Sequence, residues 1–424
     1  MIALADCNSF FCSVEKVFHP GLDGKPVCVL SSNDGCIVAL TPEAKKLGLH
    51  RGDPIFKVKD IVNQGNVHIF STNMPLYAAM SKRVQGIMRK TVQRVESYSI
   101  DEAFLYLDEY ERNYDLTSYM RQMVEKIRLW TDIPVSVGIA PSKTLAKIGS
   151  KFAKQYRGYR SVCMIDTEEK RRKALELFDL ADVWGVGQQT LAKLNYYGIS
   201  TPLQFADKPE WWVRLHFTKP GIQTWMELNG IPCIDTEEVV RNKSICTSRS
   251  FGEMVDDLPS MKSSVANFAS SCAGKLRAQN AVAGAVTVFV MSNRFREDLP
   301  QYGNALTHTF RTPTADTLEI AGEAEKLLEK IWLPGIRYKK SGVIMTDVRD
   351  ASVIQGDLFD HIQNRPERKE LMAAIDSINH RYGPKTIKLS VEGGKKEAWM
   401  VKHEHRSQNY LTDINDILTI RIQK

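Results

Sequence analysis

The stretch Arg94-Val-Glu-Ser-Tyr-Ser-Ile-Asp-Glu-Ala-Phe-Leu-Tyr-Leu107 is rich in residues that favour strands and carries two adjacent acids at its centre. Branched and aromatic side chains fit a pleated, half-buried surface, so the run reads as β structure. A second run of this kind, Ile133-Pro-Val-Ser-Val-Gly-Ile-Ala140, follows, and the amphipathic stretch 116–130 lies between the two. Strand, helix and strand in that order predict an α+β sheet with helices on one face. Working outward toward the N-terminus, Ile2-Ala-Leu-Ala-Asp-Cys7 reads as a short buried strand and 10–18 as a helix. Residues 26–30 and 35–39 read as further strands, and 42–47 as a helix stopped by Gly48. Residues 74–90 have helical spacing, with Leu76, Met80, Val84 and Ile87 on one face.

Toward the C-terminus, Pro141-Ser-Lys143 is a turn that opens a basic helix reaching Lys154. Residues 166–232 read as wholly helical around the sharp turn Trp184-Gly-Val-Gly187, and the polar stretch 233–242 reads as an interdomain linker. Strand 245–251, helix 260–277, strands 282–291 and 305–311, helix 316–332 and strand 342–348 follow. That order is β-α-β-β-α-β, a split βαβ pattern. From Ala351 the pattern weakens to a tail of mixed charge with one convincing helix, 367–381.

The chain has 424 residues, enough for two to four domains. With 43% apolar and 25% charged residues, it is neither disordered nor fibrous nor a membrane bundle. The N-terminus lacks a basic leader and meets a carboxylate at Asp6, so no secretory signal is expected. None of the eight cysteines forms a C-x-x-C pair, so they are read as reduced thiols of a cytosolic protein, and no zinc site is expected. The net charge of +7 is unevenly placed: residues 1–165 carry 22 Lys+Arg against 16 Asp+Glu. Six basic residues and no acid lie between Lys143 and Arg160, a local field that attracts phosphates or, more simply, a solvated helix face.

Asp6 ends the first predicted strand, and Asp101 and Glu102 sit in the β-rich run. Neighbours on a strand point to opposite faces, so bringing both acids to one place calls for a twist or bulge. Three carboxylates meeting at strand ends repel each other and need cations. Mg²⁺ suits them, because it takes oxygen ligands and leaves positions open for phosphates. Two such ions can clamp the attacking and leaving oxygens of a phosphoryl transfer. The turn at Gly185 and Gly187 has no preceding strand, which disfavours a dinucleotide fold; between helices it exposes backbone N–H groups able to grip a phosphate. Gln355-Gly-Asp-Leu-Phe359 reads as an exposed peptide that could seat Leu358 and Phe359 in a partner's apolar pocket.

Met1–Phe11 with Glu15, Ser99-Ile-Asp-Glu102, Ser136–Lys147 and Ala181–Gly187, occurring in this order, resemble the motifs of a Y-family (translesion) DNA polymerase across about residues 1–350. Within that family, Ser32–Cys36, the Gln355–Phe359 peptide and the extended tail resemble the UmuC-like catalytic subunits of bacterial DNA polymerase V. The resemblance implies an α+β right-hand polymerase. Its palm would be 1–10 and 75–165, its small fingers 11–74, and its helical thumb with a helix-hairpin-helix 166–232. A linker 233–242, a β-α-β-β-α-β little finger 243–350 and a C-terminal tail 351–424 would follow.

It further implies that Asp6, Asp101 and Glu102 bind two Mg²⁺ ions, with the backbone carbonyl of Cys7 contributing. Phe11 would be the steric gate against a ribose 2′-hydroxyl, beside Phe10. Lys45 and Lys154 would contact the incoming deoxynucleoside triphosphate. Lys45 and Pro42 stand where several relatives have Arg and Tyr, which implies weaker nucleotide binding. Gly185 and Gly187 would hold the backbone of primer–template DNA. Gln355, Leu358 and Phe359 would bind a sliding clamp, and the tail from Asp360 would contact a UmuD-like dimer and RecA. The implied activity is low-fidelity, template-directed synthesis past lesions in a cytoplasmic SOS response, without a membrane. A non-catalytic scaffold binding DNA and clamp is the alternative, and a metal-dependent nuclease using the same carboxylates is a third reading.

Overall fold

A computed structural model describes residues 1–235, 242–352, 362, 364–394 and 397–418. Two compact units divide the chain: residues 1–237 with 404–424, and residues 238–403.

The first unit is organised by the strand that opens the chain. β1 (Ile2–Cys7) leads into α1 (Phe10–Phe18), then β2 (Val27–Leu30), β3 (Ile37–Leu40), α2 (Pro42–Lys46), α3 (Lys59–Gln64) and β4 (His68–Ser71). After α4 (Met74–Thr91) come β5 (Val95–Ser97), β6 (Glu102–Tyr106), α5 (Leu116–Thr131), β7 (Val135–Ala140), α6 (Lys143–Gln155) and β8 (Val162–Met164). The main sheet has the order β5-β6-β1-β7-β8, with β1 antiparallel to both neighbours and β7 parallel to β8. A smaller sheet has the order β3-β2-β4.

Alternation along β1 sends Ala3, Ala5 and Cys7 to the face covered by α4 and α5, where Met80, Val84, Met120 and Ile127 complete the core. Ile2 and Leu4 face the other way, against Leu145, Ile148 and Phe152 of α6. The expected one-sided cover is therefore incomplete: helices pack on both faces of this sheet. The reason lies in β7, where a Cβ added at Gly138 would stand 2.0 Å from the Ala146 carbonyl oxygen and 2.1 Å from the Ser150 nitrogen. Only glycine lets the helix backbone rest on the strand so closely.

The helical stretch comprises α7 (Glu168–Leu177), α8 (Gln188–Tyr196), α9 (Pro202–Ala206), α10 (Glu210–His216) and α11 (Lys219–Leu228). The second unit follows the expected order: β9 (Ile245–Val255), α12 (Leu258–Ala278), β10 (Ala281–Ser292), β11 (Gly303–Thr314), α13 (Thr317–Ile331) and β12 (Tyr338–Asp350). Its antiparallel sheet runs β11-β10-β12-β9, with α12 and α13 burying one face. Beyond it lies α14 (Arg365–Tyr382).

Residues read as a tail also enter both cores. Trp399 is buried in the second unit, ring-edge on Phe268 and donating from Nε1 to Ser263 Oγ (3.1 Å). Tyr410 and Leu411 pack on the core of the first unit. Isolated apolar residues without periodicity give no sequence signal for such docking. Among the described residues, no helix is long and apolar enough to cross a membrane.

Candidate active site

The register of the central strands decides the geometry of the acids. β1 and β6 pair without a shift from Ile2↔Tyr106 to Asp6↔Glu102, so these two carboxylates stand directly opposite each other on one face. No bulge is needed for Asp101. It precedes β6, in a turn where its carbonyl accepts the Cys7 N–H (2.9 Å), and strand alternation does not govern it. Ser99 shapes that turn: its hydroxyl accepts the backbone N–H groups of Asp101 (3.2 Å) and Glu102 (3.0 Å) and donates to Asp101 Oδ1 (2.5 Å).

Like charges directly opposite one another on a sheet are destabilising, so this arrangement requires cations. α6 supplies them. Lys143 pairs with Glu96 (2.7 Å), Lys147 with Glu102 (2.9 Å) and Lys154 with Asp6 (3.4 Å), while Lys151 pairs with Asp182 at the rim. The solvated-face reading of this basic run is thus corrected at Lys143, which is only 2% exposed. Lys147 also lies over the rings of Tyr98 (4.5 Å) and Trp184 (5.3 Å). The helix is fixed at its start by Glu227 of α11. This buried carboxylate accepts the Thr144 N–H (2.8 Å), and its backbone carbonyl accepts the Ser142 hydroxyl (2.6 Å). An acid at a helix N-terminus complements the orphan N–H groups there.

Between β1 and α1, Ser9 takes a left-handed φ of 45°, uncommon for a residue with a Cβ, and its hydroxyl donates to the Leu40 carbonyl (3.0 Å). The bend aims the start of α1 across the strand end. Phe10 turns into the core, and Phe11 stays half-buried, stacked on Tyr77 (centroids 4.5 Å, planes 16° apart).

Asp6, Cys7, Phe10, Phe11, Lys45, Asp101, Glu102 and Lys154 line one cavity of about 740 Å³. Burial pushes the Asp6 carboxyl above the ordinary carboxylate range. The Lys154 ammonium opposes that shift, and Glu102 and Asp101 add to it. Burial also pushes the Cys7 thiol far up, reinforced by Asp6 and Asp101, so Cys7 offers no thiolate and only its backbone oxygen suits a hard ion.

The donor chemistry fits Mg²⁺: three carboxylates around one cavity, all oxygen ligands. Among the described residues, no three His, Cys, Asp or Glu side chains are gathered as ready ligands. The carboxylates are engaged with Ser99, Lys147 and Lys154. An ion held by these carboxylates would have to displace those partners.

Residues 5–151 match the impB/mucB/samB family, 242–358 match that family's C-terminal domain, and 369–420 match a domain of unknown function, DUF4113. Protein UmuC of Salmonella typhimurium strain LT2 is 40% identical over 423 residues, covering 99% of this chain and all of that one. The chain belongs to the impB/mucB/samB family. This UmuC-related protein is also 25% identical over 402 residues to DNA polymerase IV 1 of Bacillus subtilis, covering 93% of each chain. Its fold is that of a solved Y-family DNA polymerase chimera (TM-score 0.64, 22% identity, covering 82% of this chain and all of the other). It is a DNA-directed, translesion DNA polymerase.

In this family member, Gly185 and Gly187 lie apart from the cavity lining. Gly185 takes φ 95°, and a Cβ there would meet Thr224 Oγ1 at 2.2 Å; Gly187 is the N-cap of α8. Gln355, Leu358 and Phe359 lie outside the described residues. Sequence reading missed His50 and Arg51, which join the cavity lining, and counted Lys147 in the basic run without pairing it with Glu102. The basic spacing from Lys143 signalled Lys147. Nothing local signalled Arg51, which comes to the cavity from the loop beyond α2.

Proposed function

We propose that this polymerase adds deoxynucleotides to a primer 3′ end in the cavity lined by Asp6, Asp101 and Glu102, with the two Mg²⁺ ions general to such enzymes held there and the Cys7 carbonyl assisting. The observation that carries the reading is that Asp6 and the adjacent pair Asp101 and Glu102, distant from it in sequence, share one cavity with Phe11 and three cationic side chains, Lys45, Arg51 and Lys154. When bound, the ions stabilise charge on the transferring phosphate and activate the primer hydroxyl for in-line attack, with pyrophosphate leaving. Lys45, Arg51 and Lys154 neutralise the triphosphate. The half-buried Phe11 ring selects against a ribose 2′-hydroxyl, and Phe10 anchors it from the core.

The same reading takes residues 1–10 and 75–165 as palm, 11–74 as fingers, 166–232 as thumb, 233–242 as linker, 243–350 as little finger and 351–424 as a C-terminal region. Gly187, open at the start of α8, fits a grip on the DNA backbone. Gln355, Leu358 and Phe359 are assigned to a sliding clamp, and the region beyond Asp360 to a UmuD-like dimer and RecA. Low-fidelity synthesis in a cytoplasmic SOS response is the setting.

Primer extension with Mg²⁺ by the wild type and Asp101→Ala tests the assignment. Extension by the wild type alone supports it. Equal extension by both overturns the role of Asp101, and primer shortening replaces the polymerase reading with a nuclease.

A further inference from the structure

Behind Phe11 lies a buried polar chain that ends on the C-terminal segment. Tyr77, stacked on Phe11, donates its hydroxyl to Glu15 Oε1 (2.6 Å). Ser407 donates its hydroxyl to the same oxygen (3.0 Å). Glu15 and Tyr77 are fully buried, and Glu15 Oε2 has no hydrogen-bond partner among the described residues. Two donors on one oxygen therefore hold this carboxylate, one from α4 and one from near the end of the chain.

Ser407 is itself held firmly. Asn73, the N-cap of α4, donates from Nδ2 to the Ser407 carbonyl (3.0 Å), the Ser407 hydroxyl oxygen (3.1 Å) and the Gln408 carbonyl (3.3 Å). His405 and Arg406 pair alongside the end of β4: the Ser71 N–H donates to the His405 carbonyl (3.0 Å), and Ser71 bridges Arg406 in parallel register. Tyr410 stacks on Phe18 of α1 (centroids 4.7 Å), and its hydroxyl lies 3.3 Å from His19 Nε2. The segment thus ties α1, which carries Phe11, to α4, which carries Tyr77.

We propose that residues 404–411, within the stretch matched to a domain of unknown function, act in cis as a brace for sugar selection: Ser407 and Glu15 are positioning residues that hold Tyr77, and through its ring Phe11, against the incoming nucleotide. The proposal rests on the reading of Phe11 as steric gate. A buried carboxylate held through one oxygen by two donors loses half of that hold when either donor is removed, and the groups it joins are freed to move.

The test is single-nucleotide insertion by the full-length chain, comparing kcat/KM for a ribonucleotide with that for the matching deoxynucleotide. Ser407→Ala and Tyr77→Phe are each expected to raise the ribo-to-deoxy ratio about threefold to tenfold, the scale of one lost hydrogen bond. Ser407→Ala leaves kcat for the deoxynucleotide unchanged, Ser407→Thr restores the wild-type ratio, and Ser407→Ala adds nothing in a Tyr77→Phe background. Phe11→Ala separates the two layers. If Phe11→Ala raises the ratio while Ser407→Ala and Tyr77→Phe do not, the brace is overturned and the gate stands. If Phe11→Ala leaves the ratio unchanged, the gate falls and the brace with it.

Discussion

The two larger sheets of this protein treat polar side chains in opposite ways. In β5-β6-β1-β7-β8 both faces are covered, and the carboxylates of Asp6, Glu96 and Glu102 each meet a lysine of α6. In β11-β10-β12-β9, α12 and α13 bury one face, and on the other the hydroxyls of Thr287 and Thr307 meet across the strands (2.8 Å) at an exposed position. An acid in a doubly covered sheet must find a counter-charge, because burying it alone costs several kcal/mol, whereas a hydroxyl on a wetted face needs none. Asp6 and Glu102 are placed at the end of the covered sheet, where a cavity and a cationic helix meet them.

The largest effect expected from this contrast is at Asp101. On the proposed metal-holding role, Asp101→Ala should lower primer extension by about 10³-fold or more, the scale of several kcal/mol of transition-state stabilisation. Thr307→Val on the wetted face should stay within about twofold. Comparable losses in steady-state extension assays would break the contrast.

Next comes the contact between strand and helix. Gly138→Ala drives a Cβ into the α6 backbone and should cost about 2–4 kcal/mol in denaturant unfolding. Gly303→Ala on β11, with its nearest neighbour atom at 3.8 Å, should cost about 0.5 kcal/mol or less.

The pH dependence around Asp6 is smaller. Its folded-state pKa is raised, chiefly by burial, so the folded chain holds that proton more tightly than the unfolded chain. Its contribution to stability therefore falls as pH rises from the ordinary carboxylate value through the raised one, and is constant above. Asp6→Asn should melt a few degrees higher than wild type at neutral pH, the gap should close on acidification, and extension activity should be lost. A lower melting temperature at neutral pH would show that the pair with Lys154 outweighs burial.

The smallest effect belongs to the rim. Lys151→Ala, removing a half-exposed pair with Asp182, should shift stability by about 1 kcal/mol or less, and less still in high salt.

Much of this was legible in the chain. The apolar run into Asp6 and the adjacent acids at 101–102 stand out because a buried strand seldom carries charge. The turn at 141–143 and the lysines spaced along 143–154 announced a basic helix following a strand. The second cover of the sheet was not legible, because it depends on how closely two backbones approach. Arg51, Trp399 and Ser407 were equally hidden, since each reaches its partners across a large sequence separation and none belongs to a periodic pattern.

By itself the amino-acid order settled the element types and the strand–helix succession, since these follow from side-chain periodicity and local backbone preference, whereas Asp6, Asp101 and Glu102 were singled out by the resemblance to a polymerase family. Tertiary structure alone decided that Glu102 stands opposite Asp6, that Asp101 escapes the alternation, and that residues 404–411 reach Glu15. Those outcomes depend on register and long-range closure, which no local stretch of chain encodes.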